Sequence, residues 1–548
     1  MFRKLLALAL ATTPLAAHAE WYKVETRRFS MMGDFKSEAE AKARGEKLEK
    51  FVFVLRALSA QPNVDSPQKI GVYFVPTVQD MLGTLPAPFY GVAAYYLPHA
   101  RQSFVITPIR SYSRGQMINT NRTVVEAKDD FADDAFWHEL SHAFMFQSVA
   151  YAYPPWYSEG YAEYYGTIDI SDTNKVTVGA PQHGRIDTLR SNWYPSQKFL
   201  ADRDYAGAGE NLRSVYAEGW LLIHYAANNK ERGAQMKKYL ADINANVPYS
   251  KAAEAFGDLD QLDRELKAYV AKSIPMISLQ FKAIDVGPVV TRKATPAEVA
   301  LYKHDIKLNQ GVFKRDFPAF VSDVRRNAAR FPTDPFAQRV LTEAEYKAGN
   351  WAEADAAVGK WLAVAPGDAL ATTYRARIAT RRLAATKVPA TDPRWEEARA
   401  GFAAAMKTAP DNPFVKLNYY ESFGDAGVLA PPPVQNALMQ ALKAVPHDDY
   451  LRFAVASDFE KRGYVEDAIT IIKPAAVTVK PDSELKPGEL ERKNKRDAQR
   501  KKEYAMQGED VEREDARELY DRLVAKSAGG AEAKAVAVDK AAEKKTDK

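Results

Sequence analysis

Residues 131–167 read FADDAFWHELSHAFMFQSVAYAYPPWYSEGYAEYYGT, and the way this stretch folds decides how the first half of the chain is built. A helix turns once in about 3.6 residues, so His138 and His142 share one face with Glu139 beside them. Two imidazoles so placed can bind one cation. The helical pattern runs to Ala150 and is stopped by Pro154-Pro155, neither of which can donate a backbone hydrogen bond inside a helix. The pattern predicts a second helix from there, with Glu159 in its first turn, seventeen residues beyond His142. An antiparallel pair joined by a short loop returns that carboxylate to the histidines. Zinc held for catalysis takes three nitrogen or oxygen ligands and leaves one position to water, and His138, His142 and Glu159 supply such a set. Glu163, one turn further on the same face, is placed to accept the second ring N–H of a ligating histidine, which fixes its tautomer.

HELSH followed by WYSEGYAEY resembles the gluzincin metallopeptidases, the HExxH…E group that includes thermolysin and the aminopeptidase N-like enzymes. The resemblance implies His138, His142 and Glu159 as zinc ligands, Glu139 as general base and Glu163 as the acidic partner of a ligating histidine. Aminopeptidase-like members write the second helix as Glu-Gly-aromatic-Ala, here Glu159-Gly160-Tyr161-Ala162. They also carry a Tyr-x-x-Gly opening an apolar helix, and Tyr216-Ala217-Glu218-Gly219 is similar to it. That similarity implies Tyr216 as the phenol that supports the oxyanion. The spacer before Glu159 is shorter than in the aminopeptidases, and their Gly-rich substrate-amine motif has no counterpart, so neither endo- nor exopeptidase action is specified. The specific motifs cover residues 130–230, and the looser layout covers 20–275. His224, two turns after Tyr216, reads as a packed, hydrogen-bonded histidine.

Around this stretch, 548 residues exceed what one core holds, so two or more domains are expected. Hydrophobic residues at 46% and charged residues at 27% describe ordinary folded protein. Residues 1–19, MFRKLLALALATTPLAAHA, have Arg3 and Lys4, an apolar run and Ala17-His18-Ala19, the pattern of a cleavable signal peptide. Its removal takes the formal net charge from +5 to +3, and with both signs interspersed there is no nucleic-acid footprint. There is no cysteine, hence no disulfide and no lipid-anchoring cysteine. A periplasmic or secreted protein with no membrane span follows as the expectation.

From Trp21, short β-branched and aromatic runs at 70–76, 89–97, 103–107 and 120–127, with a helix through Leu48, Phe51, Val52 and Leu55, predict a small sheet ahead of the motif. Residues 168–210 read as loop-rich, and helices return at 214–228, 232–244 and 259–273. The fold class expected is α+β: a small β-sheet plus a helical zinc-metallopeptidase domain over 20–285, followed by an all-α tetratricopeptide-like solenoid over 298–475. The repeat shows in Gly349-Asn350-Trp351-Ala352-Glu353-Ala354 before Pro366 and in RWEEARAGF before Pro410, with a looser echo at Gly463-Tyr464. Trp351 and Trp395 are 44 apart against the usual repeat length of about 34, which implies an insertion. Residues 480–548 read as a charged helix and a disordered tail.

The function expected is that of an exported, zinc-dependent peptidase acting on peptides or proteins, with the repeats recruiting substrates or a protein partner. The alternative is a non-catalytic envelope scaffold that works through the repeats and keeps a structural metal site.

Overall fold

The computed structural model describes residues 20–59, 65–85, 93–109, 118–120, 123–125, 131–145, 151–181, 183–201, 212–272, 274–479, 485, 487–503 and 515–528. The expected leader at 1–19 and the end of the expected tail, 529–548, lie outside these residues. The described chain is mixed: a six-stranded sheet, small satellite sheets and many helices.

The sheet runs in the order Val290–Lys293, Glu20–Glu25, Phe29–Phe35, Ile70–Val75, Phe104–Pro108 and Tyr95–Leu97. Its middle pairs, Phe29–Phe35 with Ile70–Val75 and Ile70–Val75 with Phe104–Pro108, are parallel, and the outer pairs are antiparallel. Parallel strands are covered on both faces, which is why IGVYFV and FVITP are almost wholly buried. Side chains alternate between the faces. Met31, Val72, Phe74 and Val105 join the core with Leu48, Phe51, Phe136 and Leu140, while Met32, Val75, Phe104 and Ile106 pack on Tyr302 and Ile306.

Two boundaries move. The strand Val290–Lys293 completes the sheet, so the first unit runs past residue 285, and the helix Pro296–Gln310 is shared: Tyr302 and Ile306 cover the second face of the sheet while Ala297, Leu301 and Leu308 join the core of the first repeat helices. VTRK is an exposed, polar edge with no alternation to read, which is why the sequence hides it. The stretch expected to be loop-rich holds strands Asp169–Ile170 and Lys175–Val178 and helices His183–Ser191 and Ser196–Phe199.

Beyond Gln310 come four helix pairs: Phe317–Ala328 with Pro335–Lys347, Trp351–Val364 with Ala369–Ala385, Arg394–Thr408 with Pro413–Asp425, and Pro432–Ala444 with Asp449–Lys461. The connecting turns read FPTDP, APGDA, APDNP and VPHDD. In each, the Asp or Asn side chain (Asp334, Asp368, Asn412, Asp448) caps the second helix by accepting two of its first N–H groups. The expected insertion is the long helix Ala369–Ala385, 17 residues against 13 in the other three second helices, together with the loop to Arg394. The fourth pair carries no Trp, and the sequence echo skips it to reach Tyr464, which caps the helix Val465–Ala476. The charged helix spans Pro487–Glu503, and further on Leu519, Tyr520 and Leu523 are buried against Ile471 and Ile472, so part of 480–548 packs into the last core.

The repeats are fastened to the sheet. Arg101, on the loop before Phe104–Pro108, lies buried against Asp305 and Glu343, and Arg339 reaches the same two carboxylates at 2.8 and 3.2 Å. Tyr73 donates to Asp305 at 2.9 Å from the neighbouring strand.

Candidate metal centre

The motif helix spans Phe131–Met145, and the return helix spans Pro155–Tyr165 with Pro155 as its first residue, where its missing N–H costs nothing. Residues 146–150 lie outside the described residues. The two helices pack together, and Glu159 sits in the second turn of the return helix, not the first.

His138 Nε2, His142 Nε2 and a Glu159 carboxylate oxygen converge. The two nitrogens are 3.1 Å apart, and Glu159 Oε2 lies 3.0 Å from His138 and 3.5 Å from His142. Donors about 2.0–2.1 Å from a tetrahedral zinc stand roughly 3.3 Å from one another, so the set fits that ion. Among the described residues these three form the one group of ligand type that closes this tightly. Both rings stay partly open to solvent, 13% and 14% exposed, which leaves a side from which water or a ligand can enter.

The far ring nitrogens are held too. His138 Nδ1 is 3.1 Å from Glu163, and His142 Nδ1 is 3.2 Å from Ser158 Oγ, so each ring has a partner that turns its Nε2 inward. Glu163 is itself gripped by Arg185, at 2.8 Å through Nε and by a second bond from Nη2. Burial opposes the charge on Glu163, but Arg185 and His138 outweigh it and hold its pKa at about 2. Burial likewise opposes a charge on His138, and Glu159 and Glu163 reverse this and raise it to about 10. Three buried or half-buried carboxylates, Glu139, Glu159 and Glu163, thus gather around the two imidazoles, with Arg185 as the cation on Glu163.

Glu139 stands beside the histidines, where its Oε2 accepts the N–H of Tyr96 at 2.9 Å from the edge strand Tyr95–Leu97. Tyr216 lies on the central helix Leu212–Asn228, its ring stacked over His138 at 5.8 Å with the Arg185 guanidinium 5.1 Å from its centre. Burial and the nearby carboxylates push the phenol well above its usual range, so it keeps its proton and donates to Glu159.

Two glycines bring these groups together. The return and central helices cross where Gly160 meets Gly219, and a Cβ on Gly160 would lie 2.3 Å from the Gly219 carbonyl carbon. Gly160 follows Glu159 and Gly219 comes three after Tyr216, so backbone contact at the crossing brings ligand and phenol to one place. His224 is packed between Tyr269 and the Gly179 carbonyl at 3.0 and 3.1 Å, away from the three donors. All six residues expected from the sequence (His138, Glu139, His142, Glu159, Glu163, Tyr216) therefore meet at one place. Arg185 and Ser158 escape sequence reading: Ser158 is a single hydroxyl with no motif, and Arg185 arrives from the stretch expected to be loop.

No family model matches the chain, and no curated protein matches it. Among solved structures, a thermophilic TPR protein of Thermus thermophilus is similar over 36% of this chain and 97% of its own, at 18% identity and a TM-score of 0.28. The MamA RS-1 ArsTM double mutant is similar over 37% of this chain and 97% of its own, at 14% identity and a TM-score of 0.23. In this chain the repeats are marked by the paired helices and their recurrent Asp or Asn caps.

Proposed function

We propose that the chain is a zinc-dependent hydrolase of peptide bonds. The reading is carried by the spacing of the His138, His142 and Glu159 donors, with a carboxylate and a protonated phenol on either side of them. When bound, zinc supplies Lewis acidity toward a carbonyl and toward water. Glu139 takes the proton of the attacking water as the new C–O bond forms, and it delivers that proton to the leaving nitrogen as the C–N bond breaks. Tyr216 donates to the oxygen that gains charge. Glu163, Arg185 and Ser158 keep the imidazoles oriented throughout.

Glu139→Gln tests this, with cleavage of a denatured protein followed with and without chelator. It should abolish turnover while the zinc content stays at the wild-type level. Retained hydrolysis in a zinc-loaded Glu139→Gln protein overturns the assignment.

One observation favours the scaffold reading, in which the repeats bind a protein partner and the ion is structural: the edge-strand N–H of Tyr96 is already taken by Glu139. That reading requires a chain that binds zinc and cleaves nothing, and the same assay separates the two. Export to the periplasm or beyond remains part of the proposal on the pattern of residues 1–19, and a mature N-terminus at Glu20 is its test.

A further inference from the structure

We infer that Asp448, in the turn of the fourth repeat pair, is a positioning residue for Glu139: it holds the loop 98–102, and through that loop the edge strand whose Tyr96 N–H orients the carboxylate. The inference rests on the peptidase reading above, in which Glu139 carries the proton.

The repeat turns share one cap and differ in what else the capping side chain does. Asp448 Oδ1 accepts the N–H groups of Tyr450 and Leu451 at 2.9 and 3.1 Å, as Asn412 Oδ1 does for Phe414 and Val415 at 3.0 and 3.2 Å. One oxygen therefore suffices for the cap. Asp368 keeps its second oxygen within the repeat, on the Trp361 indole N–H at 3.1 Å. Asp448 turns its second oxygen out of the repeat, where Oδ2 accepts the Ala100 N–H at 2.6 Å. Cap and loop together need two acceptor oxygens, which Asp has and Asn lacks.

Ala100 is where the loop is sunk into the repeats. It is wholly buried, in one core with Leu442, Leu451 and Ile472 of the last helices. Beside it, Arg101 Nε donates to Glu343 of the first pair at 3.0 Å, and the Gln102 carbonyl accepts the Asn309 side chain at 2.8 Å. Gln68 clips the loop from the sheet side: it donates to the His99 and Ala100 carbonyls at 3.1 and 2.7 Å and accepts the Ser103 N–H at 2.9 Å. A loop pinned at successive residues passes a displacement at Ala100 on to the strand before it.

That strand has little else to hold it. Tyr95–Leu97 is three residues long and terminal in the sheet, paired on one side with Phe104–Pro108. So short a ladder leaves the strand's place to be set by what anchors its ends. The Tyr96 N–H meets Glu139 Oε2 at 2.9 Å, and this bond decides which way the second carboxylate oxygen faces. A general base acts only in the right orientation, and a misplacement of about 1 Å can cost about 10²-fold in rate.

Asp448→Asn in the zinc-loaded full chain tests this, because it keeps the cap and removes the acceptor facing Ala100. Amide hydrogen exchange should speed up at Tyr96 and Ala100 and keep its wild-type rate at Tyr450 and Leu451. The substrate is a fluorogenic peptide copied from a bond the wild type cleaves in a denatured protein. On it, kcat should fall about tenfold while KM stays within about twofold and zinc content is unchanged, the signature of a group that acts in the transition state. Asp368→Asn alters the matching turn of the second pair without touching the loop, and it should leave kcat and exchange at Tyr96 as they are. Wild-type exchange at Tyr96 or an unchanged kcat in Asp448→Asn overturns the positioning role and leaves the peptidase reading standing. An equal loss of kcat in Asp368→Asn does the same, since it marks a general loosening of the repeats. A wild-type chain that takes up no zinc and cleaves nothing overturns both.

Discussion

Glu163 shows how much of the site is electrostatics placed one layer behind the donors. It is buried, faces His138 Nδ1 and takes two bonds from Arg185. Removing Arg185 leaves that carboxylate without its fixed cation. Because Arg185 is partly exposed, the cost sits at or below the range for a fully buried pair, and Arg185→Ala should lose roughly 2–4 kcal/mol in denaturant melts. A loss below about 0.5 kcal/mol, the scatter of ordinary surface changes, would show that the pair is ornamental. Glu163→Gln removes the acceptor charge but none of the three donors proposed to hold zinc, and competition against a chelator should find zinc held about 10–100-fold more weakly. A second buried acid, Glu218, behaves in the opposite sense. Burial dominates, one oxygen accepts the Tyr194 N–H, the other finds no partner among the described residues, and the pKa rises to about 9. Folded protein therefore keeps a proton that unfolded chain releases. The stabilisation is complete below the ordinary carboxyl value of 4.5 and drains away as pH rises toward 9. Thermal melts of Glu218→Gln should show this loss flattened between pH 6 and 9, by up to about 1.4 kcal/mol per unit. An unchanged slope would mean that Glu218 ionises freely.

At the scale of elements, the Gly160–Gly219 crossing sets the site. Gly160→Ala forces the two helix backbones apart, and because a backbone atom is in the way the cost falls at the top of the overpacking range, about 3 kcal/mol or more, with weakened zinc binding. Gly184→Ala is the control. Nothing lies within 4 Å of its Cβ, so melting should be unchanged or slightly raised. Equal effects of the two substitutions would contradict the crossing argument. Elements built on a repeating pattern were legible in the residues alone: the motif helix from its paired histidines, the return helix from its prolines, the central strands from their apolar runs, the repeats from Trp351 and Trp395. What stayed hidden has no period. Arg185 is one cation in a short polar helix, Val290–Lys293 is an exposed edge, and Pro432–Lys461 lacks the tryptophan that marks its neighbours. The turn residues Asp334, Asp368, Asn412 and Asp448 carried the repeat more faithfully than the aromatics, because each meets the fixed demand of a helix start.

Over the whole molecule, the buried Arg101–Asp305–Glu343–Arg339 network makes sheet and repeats one body. Tyr249 adds a bond of 3.2 Å to the Val477 carbonyl, and Lys473 reaches the Asn244 carbonyl from the far end of the repeats. Calorimetry of the full chain should therefore give one cooperative transition, and Arg101→Ala should split or broaden it by removing the bridge from the sheet and leaving two buried carboxylates to Arg339 alone among the described guanidinium groups. Two independent transitions in the wild type would mean that the repeats are a separate module. At the centre of the proposed function, side chains from two successive helices hold one divalent ion and leave a place beside it open. X-ray absorption at the zinc edge of the loaded protein tests that claim most directly. The spectrum should fit two imidazole nitrogens and one carboxylate oxygen at about 2.0–2.1 Å, with one further light-atom ligand, and Glu159→Ala should lose the carboxylate. A protein that takes up no zinc, or a spectrum without the two imidazoles, would contradict it.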